Sequence, residues 1–73
     1  MLDMAAIGQV VRAERKSSGL RQDELAAASG VGLRFVVELE AGKETAHIGK
    51  VLAVLAALGC DVQIRRPDGS VTA

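Results

Sequence analysis

The sequence predicts a small, mainly α-helical domain of four to five helices that ends in one short β-strand. Three observations carry this. Apolar residues recur every three to four positions through most of the chain, the spacing of helices with one buried face. Glycines stand where successive helices would stop, at Gly19, Gly30, Gly42 and Gly59. After Gly59 the period changes from helical to two, in Cys60-Asp61-Val62-Gln63-Ile64-Arg65.

The elements follow in order. Residues 4–18 form a first helix, in which Ile7, Val10, Val11 and Glu14-Arg15 recur at helical spacing. Gly19 ends it and Leu20 plugs the core at the bend. Residues 22–29 form the second helix and residues 33–40 the third. Gly42 closes the third, and a loop runs from Lys43 to Ala46. A fourth helix covers residues 48–58, with Val51, Leu52, Val54, Leu55 and Leu58 apolar. For its N-cap, Thr45 has the better capping chemistry whereas register favours His47.

The alternating segment reads as a lone strand with no partner in an otherwise helical chain. Its unpaired backbone groups need another strand. The simplest donor is the same strand of a second copy, which gives a two-stranded ribbon on a two-fold axis, with Val62 and Ile64 in the homodimer seam. The expected organisation is therefore a helical domain over 4–59, a dimerisation strand over 60–66 and a flexible tail over 67–73, where Pro67-Asp68-Gly69-Ser70 has turn and tail composition.

Size and composition agree with association. At 73 residues a domain buries only about 60% of its unfolded surface and is marginal alone. One cysteine, Cys60, excludes an internal disulfide and a cysteine-rich zinc site. The longest apolar run, 51–58, falls far short of the ~20 residues of a membrane span, so a cytoplasmic protein is expected. Net charge is zero and the pI is about 6.5. Neutrality counts against a nucleic-acid binder by bulk charge, but the placement of the nine Lys and Arg matters more than their sum. Phe35 is the lone aromatic residue, which disfavours binding single strands by base stacking.

The stretch from Gln22 to Leu39 is the most informative. Leu25 gives an apolar contact, and Ala26 is small where two helices approach. Gly30 permits the left-handed backbone that ends the first of the two. Val31, Val36 and Leu39 then lay a second apolar stripe. Two short helices that cross through a sharp turn make a helix-turn-helix, whose second helix enters the DNA major groove.

With these residues placed, the chain resembles the Cro and phage-repressor (XRE) type of helix-turn-helix domain. The matching residues are Arg12 and Arg15, GLRQDELA at 19–26, Gly30-Val31, and VVELEAGK at 36–43. Within that group it is most similar to HipB-type antitoxins, through its short length, the helix KVLAVLAALG at 50–59 and the strand CDVQI after it. The resemblance implies a homodimeric repressor of its own palindromic operator in double-stranded DNA. It also implies a partner, a HipA-like serine/threonine kinase toxin that the antitoxin restrains; the alternatives are a free-standing XRE-type regulator, or a protein-interaction module without DNA binding whose face is the apolar Leu33, Phe35 and Val37.

On the third helix, Val36 and Leu39 define the buried face, so Arg34 and Glu38 point toward the groove. Arg34 has the planar fork that reads guanine O6 and N7. Glu38, one turn on, either accepts from a cytosine amine or holds Arg34; the bland alternative is a solvated i,i+4 pair. Leu33 and Val37 flank this face, in reach of thymine methyls. Gln22 opens the second helix, where free amides favour a phosphate, and family register supports that contact. Arg21 and Lys43 are candidate phosphate clamps or solvated charges, and Lys50 is a weaker candidate. Phe35 is expected in core or rim packing. Arg15 and Glu40 lie near apolar faces and match a family pair that joins the first and third helices, so they are expected to form a structural ion pair.

Catalysis and metal binding find no support. Cys60 and His47 stand at opposite ends of one helix and cannot act together, and two ligands do not close a zinc site. No cofactor is implied, and an enzyme is not expected.

Overall fold

A computed structural model describes residues 2–72. It contains α1 (Met4–Ser17), α2 (Gln22–Ser29), α3 (Leu33–Glu40), α4 (Ile48–Ala57), β1 (Ile64–Arg65) and β2 (Val71–Thr72). The four helices fall where periodicity places them, each within one residue of the expected ends.

Local chemistry explains the boundaries. Asp3 caps α1, its Oδ1 accepting from the Ala6 amide at 2.8 Å. Gly30 ends α2 at φ 70°, in the left-handed region. Its amide donates to the Ala27 carbonyl at 3.3 Å and that of Val31 to Ala26 at 3.1 Å, the paired bonds of a Schellman stop. His47 is the N-cap of α4, as register favours, although its side chain makes no capping bond.

The core is one cluster of Val11, Leu25, Ala26, Val36, Leu39, Val51, Val54 and Leu55, drawn from all four helices. Helix α3 packs on α1 and α2, and α4 packs on α2. Gly8 sets the α1–α3 spacing, because a Cβ there would overlap the Leu39 carbonyl oxygen. Val31, Phe35, Leu58 and Cys60 close the core at its rim, half-buried. Phe35 therefore packs as expected, and no helix is long and apolar enough to cross a membrane among the described residues.

The end of the chain departs from expectation. The alternating segment does not lack an internal partner: β1 pairs antiparallel with β2, with Ile64 opposite Thr72 and Arg65 opposite Val71. Residues 67–72 are thus a turn and a strand where a flexible tail was expected, and Ala73 lies outside the described residues. The physical reason is the turn itself. Asp68 Oδ1 accepts from the amide and hydroxyl of Ser70 at 2.9 and 2.6 Å. Gly69 adopts φ 87°, and the Arg66 amide donates to the Ser70 carbonyl at 2.8 Å. An Asp-Gly turn of this kind returns the chain on itself. The paired strand is also shorter than 60–66, since residues 61–63 carry no assigned secondary structure.

Candidate nucleic-acid interface

The interface is built from a buried polar cluster outward. Arg15, on the inner face of α1, donates from Nε to Glu40 Oε2 at 2.7 Å and from Nη2 to Oε1 at 3.0 Å. Its Nη1 donates to the Leu20 carbonyl at 2.9 Å. The two side chains are 11% and 5% exposed. Burial pushes the Glu40 carboxyl up, but bonds from Arg15 and Gln22 and the charges of Arg15 and Arg12 outweigh it and hold it below the ordinary carboxylate value. The Glu40 bond raises Arg15 against the opposing effect of burial. The expected ion pair is present, and it ties the end of α3 to α1 and to the bend before α2.

Gln22 belongs to the same cluster. Its Nε2 donates to Glu40 Oε1 at 3.2 Å, so its side chain lies across the pair at the start of α2. Sequence reasoning placed Gln22 at the helix start but not this bond. Arg12, Arg15, Gln22, Val37, Glu40 and Ala41 line one shallow open depression between α1, α2 and α3. Arg12 is exposed on its rim and takes part in none of the described ion pairs. No role was assigned to it from sequence, although its i,i+3 spacing from Arg15 puts both on neighbouring parts of α1.

The outer face of α3 carries Leu33, Arg34 and Val37, all exposed. Arg34 is 89% exposed, with Nε 3.8 Å from Glu38 Oε1. Glu38 Oε2 also accepts from Lys43 Nζ at 3.1 Å, so one carboxylate serves two cations. Arg21 is similarly engaged: its Nε donates to Asp23 Oδ1 at 3.1 Å and its amide to Glu24 Oε1 at 2.8 Å. Lys50 lies over the Phe35 ring, 5.8 Å from its centroid, within the range of a cation–π contact. Arg21, Gln22, Leu33, Arg34, Val37, Glu38 and Lys43 are carried by α2, the residue before it, α3 and the loop after α3.

Val62 and Ile64 are not on this surface. They line a separate, almost wholly apolar groove with Ile48, Leu52 and Thr72. Sequence reasoning counted Leu52 among the apolar residues of α4 without separating it from the core; here it is exposed, as is Ile48. Cys60 is half-buried and His47 exposed.

The helix-turn-helix family HTH_3 matches residues 11–64, a span that runs from the second half of α1 through α2, α3 and α4 to the start of β1. The chain is also similar to an uncharacterized HTH-type transcriptional regulator, y4mF, of Sinorhizobium fredii (strain NBRC 101917 / NGR234). The two are 64% identical over 63 residues, which cover 86% of this chain and 83% of the relative.

Proposed function

The chain belongs to the HTH_3 helix-turn-helix family, and we propose that it is a sequence-specific regulator of transcription that binds double-stranded DNA as a homodimer. The observation that carries this reading is the Arg15–Glu40–Gln22 cluster. It ties the start of α2 to the end of α3 and both to α1, while Leu33, Arg34 and Val37 stay exposed on the outer face of α3. Helix α3 is the reading element in the major groove, with Arg34 directed at a guanine edge. Gln22, Arg21, Lys43 and Arg12 surround it at positions suited to phosphates. The similarity to the y4mF regulator of Sinorhizobium fredii supports the same coarse role.

Two copies join along the groove of Ile48, Leu52, Val62 and Ile64. Strand β1 uses one edge for β2, which leaves its other edge for the second copy. A two-fold dimer then meets a palindromic operator with half-sites one helical turn, or a multiple, apart. Repression of its own operon and restraint of a HipA-like kinase toxin extend this reading through the resemblance to HipB-type antitoxins.

The test combines light scattering with duplex binding on the wild type and Ile64→Asp. A wild-type dimer that binds duplex, and an Ile64→Asp variant that is monomeric and binds far more weakly, support the proposal. An Ile64→Asp variant that remains a dimer places the seam elsewhere. Co-purification of a kinase with the native protein tests the toxin partner.

A further inference from the structure

Arg34, Lys43 and Arg21, three of the cations around the recognition helix, are already paired with carboxylates in the free protein. Glu38 lies between Arg34 Nε, at 3.8 Å, and Lys43 Nζ, at 3.1 Å. Arg21 is held by Asp23 and, at 3.7 Å, by Glu24. Glu38 differs from Asp23 and Glu24 in two ways. It is half-buried and so fixed on the helix surface, and it sits on the helix that would enter the groove. A phosphate that approaches Arg34 or Lys43 must displace this carboxylate or accept its repulsion. Generic duplex DNA, bound through phosphates alone, therefore gains less than two free cations would give.

A matching base sequence changes that balance. Guanine O6 and N7 occupy the Arg34 fork, and a cytosine amine offers Glu38 a donor, without any phosphate having to compete for either group. The negative charge then opposes non-specific binding more than specific binding. We propose that Glu38 is a specificity-determining residue, a built-in counter-charge that holds Arg34 and Lys43 back from generic phosphate contact. This rests on the DNA-binding reading above. It also bears on how a neutral chain serves a DNA-binding role, since part of its acidic charge, at Asp23, Glu24 and Glu38, is placed beside cations of the interface.

The test uses the wild type, Glu38→Gln and Glu14→Gln. Glu14 is exposed on α1 and in none of the described ion pairs, so its variant changes net charge equally without touching α3. The probes are the duplex the wild type selects most strongly from a random-sequence pool and a shuffled copy of it, over about 50 to 200 mM salt. Glu38→Gln is expected to bind the shuffled duplex more tightly, with a salt slope steeper by about 0.9, the increment of one phosphate contact. Its preference for the selected duplex falls, and by about threefold more at 50 mM than at 200 mM salt, the change one such contact makes across that range. Glu14→Gln keeps the wild-type preference. An unchanged preference in Glu38→Gln, equal weakening on both duplexes, or the same change in Glu14→Gln overturns the assignment. A wild type that binds no duplex at low salt overturns the DNA-binding reading itself.

Discussion

Arg15 holds Glu40 through two nearly parallel bonds, at 2.7 and 3.0 Å, across 25 residues of sequence. A planar guanidinium matched to a carboxylate gives geometric definition as well as energy. Because Arg15 also donates to the Leu20 carbonyl and Gln22 donates to Glu40, the pair joins α1, the start of α2 and the end of α3. Removing one partner leaves the other buried and uncompensated. Glu40→Gln or Arg15→Met is expected to destabilise the fold by about 3 to 5 kcal/mol, read from urea denaturation. The double variant should lose less than the sum of the two singles. Additive losses would show that the pair is not coupled.

The same pair sets a pH dependence. The folded-state Glu40 pKa is depressed, so the unfolded chain binds its proton first as pH falls. The contribution is fully present above the ordinary glutamate value, about 4.3, and is lost as pH drops through the lower folded value. Wild type should therefore lose its stability advantage over Glu40→Gln between roughly pH 5 and the folded pKa. A gap between the two proteins that stays constant through that acidic window would contradict the assignment.

Gly8 tests the close approach of α1 and α3. Alanine is a better helix former by about 0.8 to 1 kcal/mol, which alone predicts stabilisation. The added Cβ would overlap the backbone oxygen of Leu39, which cannot rotate away as a side chain does. Overpacking of this kind costs typically about 1 to 3 kcal/mol. Gly8→Ala is expected to lower the thermal midpoint, and an increase would show that the helices separate without penalty.

Arg34 and Arg12 should fail in different ways on DNA. Arg34→Ala is expected to relax preference at one base position per half-site, at a cost of about 1 to 3 kcal/mol. Arg12→Gln should weaken binding to all sequences and reduce the salt slope by about 1 for each phosphate that Arg12 neutralises. Competition with single-base variants of the selected duplex, repeated over salt, separates the two. Identical profiles would remove the distinction between base reading and phosphate neutralisation.

Much of the fold was legible because the chain punctuates it. The glycine at position 30 can adopt φ 70° without strain, and its place between two apolar stripes marks the turn directly. The Arg15–Glu40 pair was reached through resemblance together with the position of both residues near apolar faces. The hairpin was harder to see. Alternation over 60–65 marks its first strand, but the second, Val71–Thr72, is two residues long, too short for alternation to register, although Pro67-Asp68-Gly69 between them carries turn chemistry. The Gln22 side chain was not legible in detail either. Its direction depends on an acceptor 18 residues away, and helix periodicity says nothing about which rotamer that acceptor selects. Arg12 was visible as a residue shared with the resembled family but had no role, because a surface arginine becomes informative only when the depression beside it is formed by two other helices.

In the proposed function, α3 presents its exposed face to duplex DNA from a two-chain assembly. Fluorescence anisotropy of a labelled duplex, selected by the wild type and titrated with it over increasing salt, tests this most directly. The expected result is saturation at two chains per duplex and an affinity that falls steeply and log-linearly with salt. A protein that leaves the duplex free at low salt, or binds it with no dependence on salt, would contradict it.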